Sequence, residues 1–189
     1  MNIKKIVVGL YEENCYFLTI NNDLLIVDPG DEFNKIDNII KNNNYNLLGI
    51  LITHAHFDHV GALEELINKY KVPVYYNNIN NEIEYSNIID IKEEEYSIKD
   101  FKFKVIYFKG HRNDLVAFYF YEDNAMFVGD FIFKDSIGRC DLEYANIHDM
   151  KLSLEKIKKY DDNIVIYSGH GEDTTLGYEK KNNYYLKEE

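Results

Sequence analysis

The sequence predicts an α/β fold in which two β-sheets pack together and helices lie outside them. Three observations predict it. Strand-like segments are grouped in both halves of the chain, helical segments are interspersed among them, and Leu47 to Thr53 is the continuous apolar run expected of a strand buried on both faces. At 189 residues the chain has the size of one domain, 1–189, large enough to bury a core without disulfides.

Ile3 to Val8, Asn14 to Ile20 and Leu24 to Val27 read as the first three strands, with Asn21-Asn22-Asp23 as the turn between the last two. Lys4-Lys5 followed by Ile6-Val7-Val8-Gly9-Leu10 mimics a signal peptide. The run ends at Tyr11-Glu12-Glu13 without a small-residue cleavage site, so it is read as a strand. Asp28-Pro29-Gly30-Asp31 then breaks the sheet, and Phe33, Ile36, Ile39 and Ile40 follow at helical spacing with Asp31 as N-cap. After the Leu47 to Thr53 strand, Val60, Leu63, Ile67 and Tyr70 mark one helix face, and Val72 to Tyr76 is a further strand. Asn77 to Glu95 is polar and defines no element. Phe101, Phe103, Val105 and Tyr107 alternate as in a half-buried strand, and Leu115 to Tyr121 and Ala125 to Val128 flank the turn Glu122-Asp123-Asn124. Met150, Leu154 and Ile157 outline a helix, Ile164 to Tyr167 a last strand, and Gly177 to Leu186 a short final helix.

Thirty-three acidic against 21 basic residues give a formal net charge of −12, which repels phosphate backbones and anionic membranes. A small-molecule substrate is therefore expected, with no nucleic-acid or membrane partner. No segment approaches the roughly 18 to 20 apolar residues that span a bilayer. Two cysteines, Cys15 and Cys140, cannot build a disulfide framework, and a cytoplasmic location is expected.

The chemistry is concentrated in His54-Ala55-His56-Phe57-Asp58-His59. In an extended segment alternate side chains point the same way, so His54 and His56 can present two imidazoles to one ion. Asp58 and His59, at the start of the following helix, project from a different backbone direction. A lone Asp there would ordinarily be a helix cap. Three histidines in six residues argue otherwise, because a buried imidazole cluster without metal would carry unsatisfied nitrogens. His111, Asp130 and His170 each follow a predicted strand, where loops on one rim can converge. Five histidines and two aspartates fill two three-ligand sites and leave one carboxylate to bridge. Such a bridge would hold two divalent ions about 3.5 to 4 Å apart and lower the pKa of a water between them toward ~7.

Thr53-His54-Ala55-His56-Phe57-Asp58-His59-Val60-Gly61 resembles the signature of the metallo-β-lactamase superfamily. The resemblance extends to glyoxalase II-like (hydroxyacylglutathione hydrolase-like) enzymes through Asp28-Pro29-Gly30, Gly129-Asp130, Ser136-Ile137-Gly138-Arg139 with Asp141-Leu142, Gly169-His170-Gly171, Thr174-Thr175, Gly177, Glu179-Lys180 and Asn183. It implies a four-layered αββα sandwich of two mixed sheets. One metal would take His54, His56 and His111, the other Asp58, His59 and His170, with Asp130 bridging. Zinc is the family's usual ion, and iron and manganese occur in relatives. The chain departs from the pattern at Lys109, Arg112-Asn113, Cys140 and Tyr184. Cys140 is read as a small-residue replacement and His148 as facing solvent.

The resemblance implies a binuclear hydrolase that cleaves a small thioester with hydroxide held between the ions, Asp58 acting as the catalytic residue that orients it. Lys109 and Arg112 are expected to bind an anionic group of the substrate. The C-terminal helical domain of glyoxalase II is expected to be lacking, because only a short tail follows His170. Alternatives of the same fold are a mononuclear-iron persulfide dioxygenase using two His and one Asp, a lactonase or a β-lactamase-like hydrolase. A non-catalytic module with metal-stapled loops is the reading from outside enzymology.

Overall fold

Residues 1–187 are described by a computed structural model. The first sheet is laid down by β1 (Asn2–Val8), β2 (Glu13–Ile20), β3 (Asp23–Val27), β4 (Asn46–Leu51), β5 (Val74–Tyr76) and β6 (Ile88–Asp90), which lie side by side in that order. The two hairpins pair antiparallel, whereas β3 to β6 run parallel. Helices supply the crossovers from β3 to β4 and from β4 to β5, while a loop joins the parallel β5 and β6. The helices are α1 (Phe33–Asn42), α2 (Phe57–Val60) and α3 (Leu63–Tyr70).

The second sheet is built from β7 (Glu95–Ile98), β8 (Phe101–Tyr107), β9 (Val116–Phe120), β10 (Ala125–Gly129), β13 (Val165–Ser168) and β14 (Thr174–Thr175), in the order β14-β13-β10-β9-β8-β7. A small hairpin of β11 (Ile132–Phe133) and β12 (Ser136–Ile137) follows β10, and α4 (Ile147–Ile157) and α5 (Leu176–Asn182) complete the chain. Both sheets are mixed, since β10 and β13 pair parallel within otherwise antiparallel neighbours.

Side-chain alternation explains the layering. Tyr16, Leu18, Leu25, Val27 and Leu51 of the first sheet meet Phe103, Val105, Phe118, Phe120 and Phe127 of the second in a central core. The opposite faces are apolar too. Phe17, Leu24, Ile26 and Ile50 pack under Ile36, Ile40, Leu63 and Leu66 of α1 and α3, while Ile106, Ala117, Met126 and Ile166 pack under Met150, Leu154 and Ile157 of α4. The four-layered αββα sandwich is thus the observed architecture.

Local departures from the sequence reading have identifiable causes. Glu32, in the left-handed conformation (φ 53°), occupies the N-cap of α1 without a side-chain bond, and Asp31 instead accepts from the Glu32 backbone N–H. The helix read over Val60 to Tyr70 is split by a turn at Gly61-Ala62. Ala62 donates its N–H to Pro29 O there, and a Cβ on Gly61 would collide with Gly30 O. The polar stretch Asn77 to Glu95 contains β6 and the start of β7, short edge strands whose exposed residues hide any alternation. The final helix ends at Asn182, four residues before the predicted Leu186.

Candidate metal centre

The sandwich opens at one rim where five segments meet: the β4–α2 loop, α2 itself, the β8–β9 loop and the ends of β10 and β13. All seven predicted residues gather there. Ligand atoms of His54, His56, His111 and Asp130 form one group and those of Asp58, His59 and His170 another, each lying within 4.8 Å. His54 and His59 are fully buried and His111 and Asp130 nearly so, whereas His56, Asp58 and His170 are half-buried and face the opening.

Outward hydrogen bonds decide which ring nitrogen faces inward. Thr53 donates its hydroxyl to Asp28 Oδ2 at 2.6 Å, so its oxygen is free to accept from His54 Nδ1 at 3.1 Å. His111 Nδ1 donates to Arg139 O at 2.8 Å, and His59 Nδ1 donates to Asp28 Oδ2 at 3.0 Å. Each ring is thereby fixed with its Nε2 toward the centre, the orientation that metal-ligating histidines require. His54 Nε2 and His111 Nε2 then stand 3.1 Å and 2.9 Å from His56 Nδ1. One proton on His56 cannot satisfy two lone pairs at once. A cation among the three nitrogens removes the conflict.

Asp130 joins the two groups. Its Oδ1 lies 3.3 Å from His59 Nε2, and its Oδ2 lies 3.7 Å from both His111 Nε2 and His170 Nε2. Asp58 Oδ2 is 3.3 Å from His170 Nε2. His59 Nε2 and Asp130 Oδ1 are buried without any hydrogen-bond partner, as expected of atoms that would ligate a cation. The donor set of imidazoles and carboxylates fits zinc, iron or manganese.

Protonation divides the groups. Burial pushes the imidazoles of His54 and His111 down, and neighbouring imidazoles add to the effect on His54; His56 is lowered to about 4 by the same causes. Burial alone would lower His59 and His170 as well. The carboxylates of Asp130 and Asp28 outweigh it at His59, and those of Asp58 and Asp130 at His170, so both are raised. Burial would raise Asp58, but the His170 hydrogen bond and the His59 charge outweigh it and hold the carboxyl at about 2.

Glycines allow this density. Gly129 takes φ +52° at the end of β10, where a Cβ would strike the Thr53 side chain, and a Cβ on Gly169 would strike Asp130 and the His59 ring.

One sequence expectation needs correction. Arg112 is buried rather than offered to a substrate: its guanidinium pairs with Asp114 at 2.8 Å, pairs also with Glu82, and lies over the Tyr144 ring at 5.2 Å. Lys109 is half-buried alongside α4, where its carbonyl accepts from the Ser153 hydroxyl. Cys140 is a half-buried thiol whose Sγ meets Gly138 O at 3.5 Å, and His148 is exposed.

Several supporting residues were not singled out from the sequence. Asp114, fully buried, accepts from the Ala55 N–H at 3.0 Å and the Tyr76 hydroxyl at 2.6 Å, and so braces the loop between His54 and His56. Asn14 donates its side-chain amide to Ser168 O and Gly171 O, on either side of His170. Glu13 is buried with both carboxyl oxygens unpartnered, 4.0 Å from His59 Nδ1, and burial raises its pKa. Glu179 and Asn183 of the C-terminal motif act from outside the cluster. They receive and donate bonds at Asp135 N and Ser136 O and so hold the β11–β12 hairpin.

Residues 8–170 match the Metallo-beta-lactamase superfamily. The chain is 32% identical to a probable metallo-hydrolase, YqgX, of Bacillus subtilis, with 98% of each chain covered. It is 27% identical to the hydroxyacylglutathione hydrolase GloC of Haemophilus influenzae, again over 98% of each. Among solved structures, the BLEG-1 B3 metallo-beta-lactamase superposes with a TM-score of 0.90 at 28% identity, covering 98% of this chain and 99% of that one.

Proposed function

The chain belongs to the metallo-beta-lactamase superfamily, and from that premise we propose that its two ligand groups hold two divalent ions, zinc or iron, that serve hydrolysis of a small thioester. The observation that carries this reading is the place of Asp130 between the groups, with an unpartnered oxygen toward His59 and the other oxygen toward His111 and His170. A centre for one ion would need only half of these residues.

When bound, the ions would acidify water and polarise the substrate carbonyl. His54, His56 and His111 would hold one ion and Asp58, His59 and His170 the other, with Asp130 shared. Asp58 is the catalytic residue: half-buried and held ionised by its hydrogen bond with His170, it would orient the attacking water. Water oxygen bonds to the acyl carbon, the carbon–sulfur bond breaks, and the thiolate leaves with the electron pair. Asp28 and Thr53 keep His54 and His59 aimed, so little reorganisation accompanies the reaction. Thioesters are favoured by the relatives named as hydroxyacylglutathione hydrolases.

The test is metal analysis coupled to an activity screen. Two ions per chain with release of thiol from thioesters are expected. One iron with oxygen uptake on glutathione persulfide would replace this reading by the dioxygenase one, and hydrolysis confined to β-lactams would replace it by the lactamase one.

A further inference from the structure

Glu13 opens β2 at 1% exposure, and both of its carboxyl oxygens are buried without a hydrogen-bond partner. Carboxylates are almost never fully buried unless they are paired. Among the described residues, no Lys or Arg pairs with Glu13. The basic atom it approaches is His59 Nδ1, at 4.0 Å, and that N–H is already given to Asp28 Oδ2 at 3.0 Å. The packing around the carboxyl is close. A Cβ on Gly30 would come within 2.6 Å of Glu13 Oε2 and 1.9 Å of Asp58 O, so the bare Gly30 gives the carboxyl its place between the Asp28-Pro29-Gly30 turn and α2. The Glu13 backbone also forms an antiparallel bridge with that of His170. Both contacts fall on histidines of the Asp58, His59 and His170 group.

Three more carboxylates, Asp28, Asp130 and Asp58, lie close enough to repel a charge on Glu13. Without cations this is a concentration of negative charge in a space that water does not reach, and an uncompensated buried charge is strongly destabilising. Two divalent ions would bring four positive charges. Asp28, Asp58 and Asp130 match three of them, and Glu13 supplies the fourth. It stands behind His59, on the Nδ1 side, and so acts on an ion through that ring rather than as a ligand. Resting on the two-ion reading above, we infer that Glu13 is a positioning residue for the ion of Asp58, His59 and His170, a carboxylate whose charge is matched only when that ion is bound. It raises the affinity of that one ion at the expense of the metal-free fold.

The experiment uses Glu13→Gln, which removes the charge and keeps the shape, and Glu13→Met, which removes the polar atoms as well. Titration of zinc against a chromophoric chelator reads the two dissociation constants, and Asp58→Ala, which lacks a ligand of one ion, identifies the constant that belongs to it. Thermal unfolding in excess chelator reads the metal-free fold. Glu13→Gln is expected to raise the dissociation constant of the Asp58, His59 and His170 ion by at least about tenfold, the size of effect that outer partners of ligating histidines have, and to leave the other constant within about twofold. Glu13→Met is expected to weaken the same ion while raising the metal-free Tm by at least about 2 °C. The opposite signs separate this role from packing, because a residue that merely filled space would lower the Tm and weaken both ions together. An unmoved constant in Glu13→Gln, equal weakening of both ions, or a metal-free Tm that fails to rise in Glu13→Met overturns the inference. Wild-type protein that takes up no second ion sinks the two-ion reading and the role of Glu13 with it, whereas two ions with unmoved constants sink the role of Glu13 alone.

Discussion

His59 Nε2 and Asp130 Oδ1 face each other across 3.3 Å, both buried and neither hydrogen-bonded. In a metal-free protein the two attract as charges but lack hydrogen-bond geometry, and a buried polar group without a hydrogen bond costs about 1–3 kcal/mol. Filling the centre should therefore stabilise the fold as well as enable chemistry. At a free metal concentration 100-fold above Kd, one ion adds about 2.7 kcal/mol, or roughly 5–10 °C in Tm for a chain of this size. Thermal unfolding with and without a chelator measures this. Equal melting temperatures would count against any ion at this site.

The two ligand groups should differ in their response to pH. His54, His56 and His111 have lowered pKa values, His56 at about 4, so at neutral pH an ion displaces no proton from them. His59 and His170 have raised values and carry protons that an ion must expel. Affinity of the Asp58, His59 and His170 group should thus fall first as pH drops, while the other group keeps its ion to lower pH. Metal content measured across pH 4.5 to 8 should show one ion leaving well before the other. Simultaneous loss of both would refute the asymmetry.

The legibility of this centre from the sequence follows from how each residue is recruited. His54, His56, Asp58 and His59 are close along the chain, so strand alternation and the first helical turn are enough to aim them. His111, Asp130 and His170 stand at strand ends, where a family resemblance could collect them but spacing alone could not. Asp114 and Glu13 left no such mark. Asp114 sits three residues after His111 in a run that reads as loop, and its role arises only because β9 brings it under Ala55 and Tyr76. The layers themselves were visible because apolar residues occupy both faces of β3, β4 and β10. The short strands β6, β11, β12 and β14, of two or three residues each, contain too few residues to show a period.

Arg112→Ala tests the corrected role of that cation. Asp114 is fully buried, and removing the guanidinium leaves its carboxylate with only the Ala55 N–H and Tyr76 hydroxyl to face. Breaking a buried ion pair in this way costs about 3–5 kcal/mol. Urea unfolding should show that loss, with activity on acidic and neutral substrates falling in parallel as the His54-Ala55-His56 loop loosens. A stable variant with a selectively raised KM for acidic substrates would restore Arg112 as a substrate contact.

Asn14→Ala probes how the first sheet controls a ligand on the second. The Asn14 amide reaches Ser168 O at 3.0 Å and Gly171 O at 3.1 Å, its backbone N–H reaches Gly169 O at 2.7 Å, and the Tyr16 hydroxyl adds a bond of 2.6 Å to Ser168 O. β2 thus holds the carbonyls at both ends of the His170 turn, although β2 and β13 belong to different sheets. The alanine variant keeps the backbone bond and loses the two side-chain bonds, leaving Ser168 O with Tyr16 alone. The expected cost is about 1–3 kcal/mol in stability. A larger relative effect should fall on the ion held by His170, whose dissociation constant should rise about tenfold, while the ion held by His54, His56 and His111 keeps its affinity. Competitive titration against a chromophoric chelator resolves the two constants. If both ions weaken equally, Asn14 supports the fold at large rather than the His170 turn.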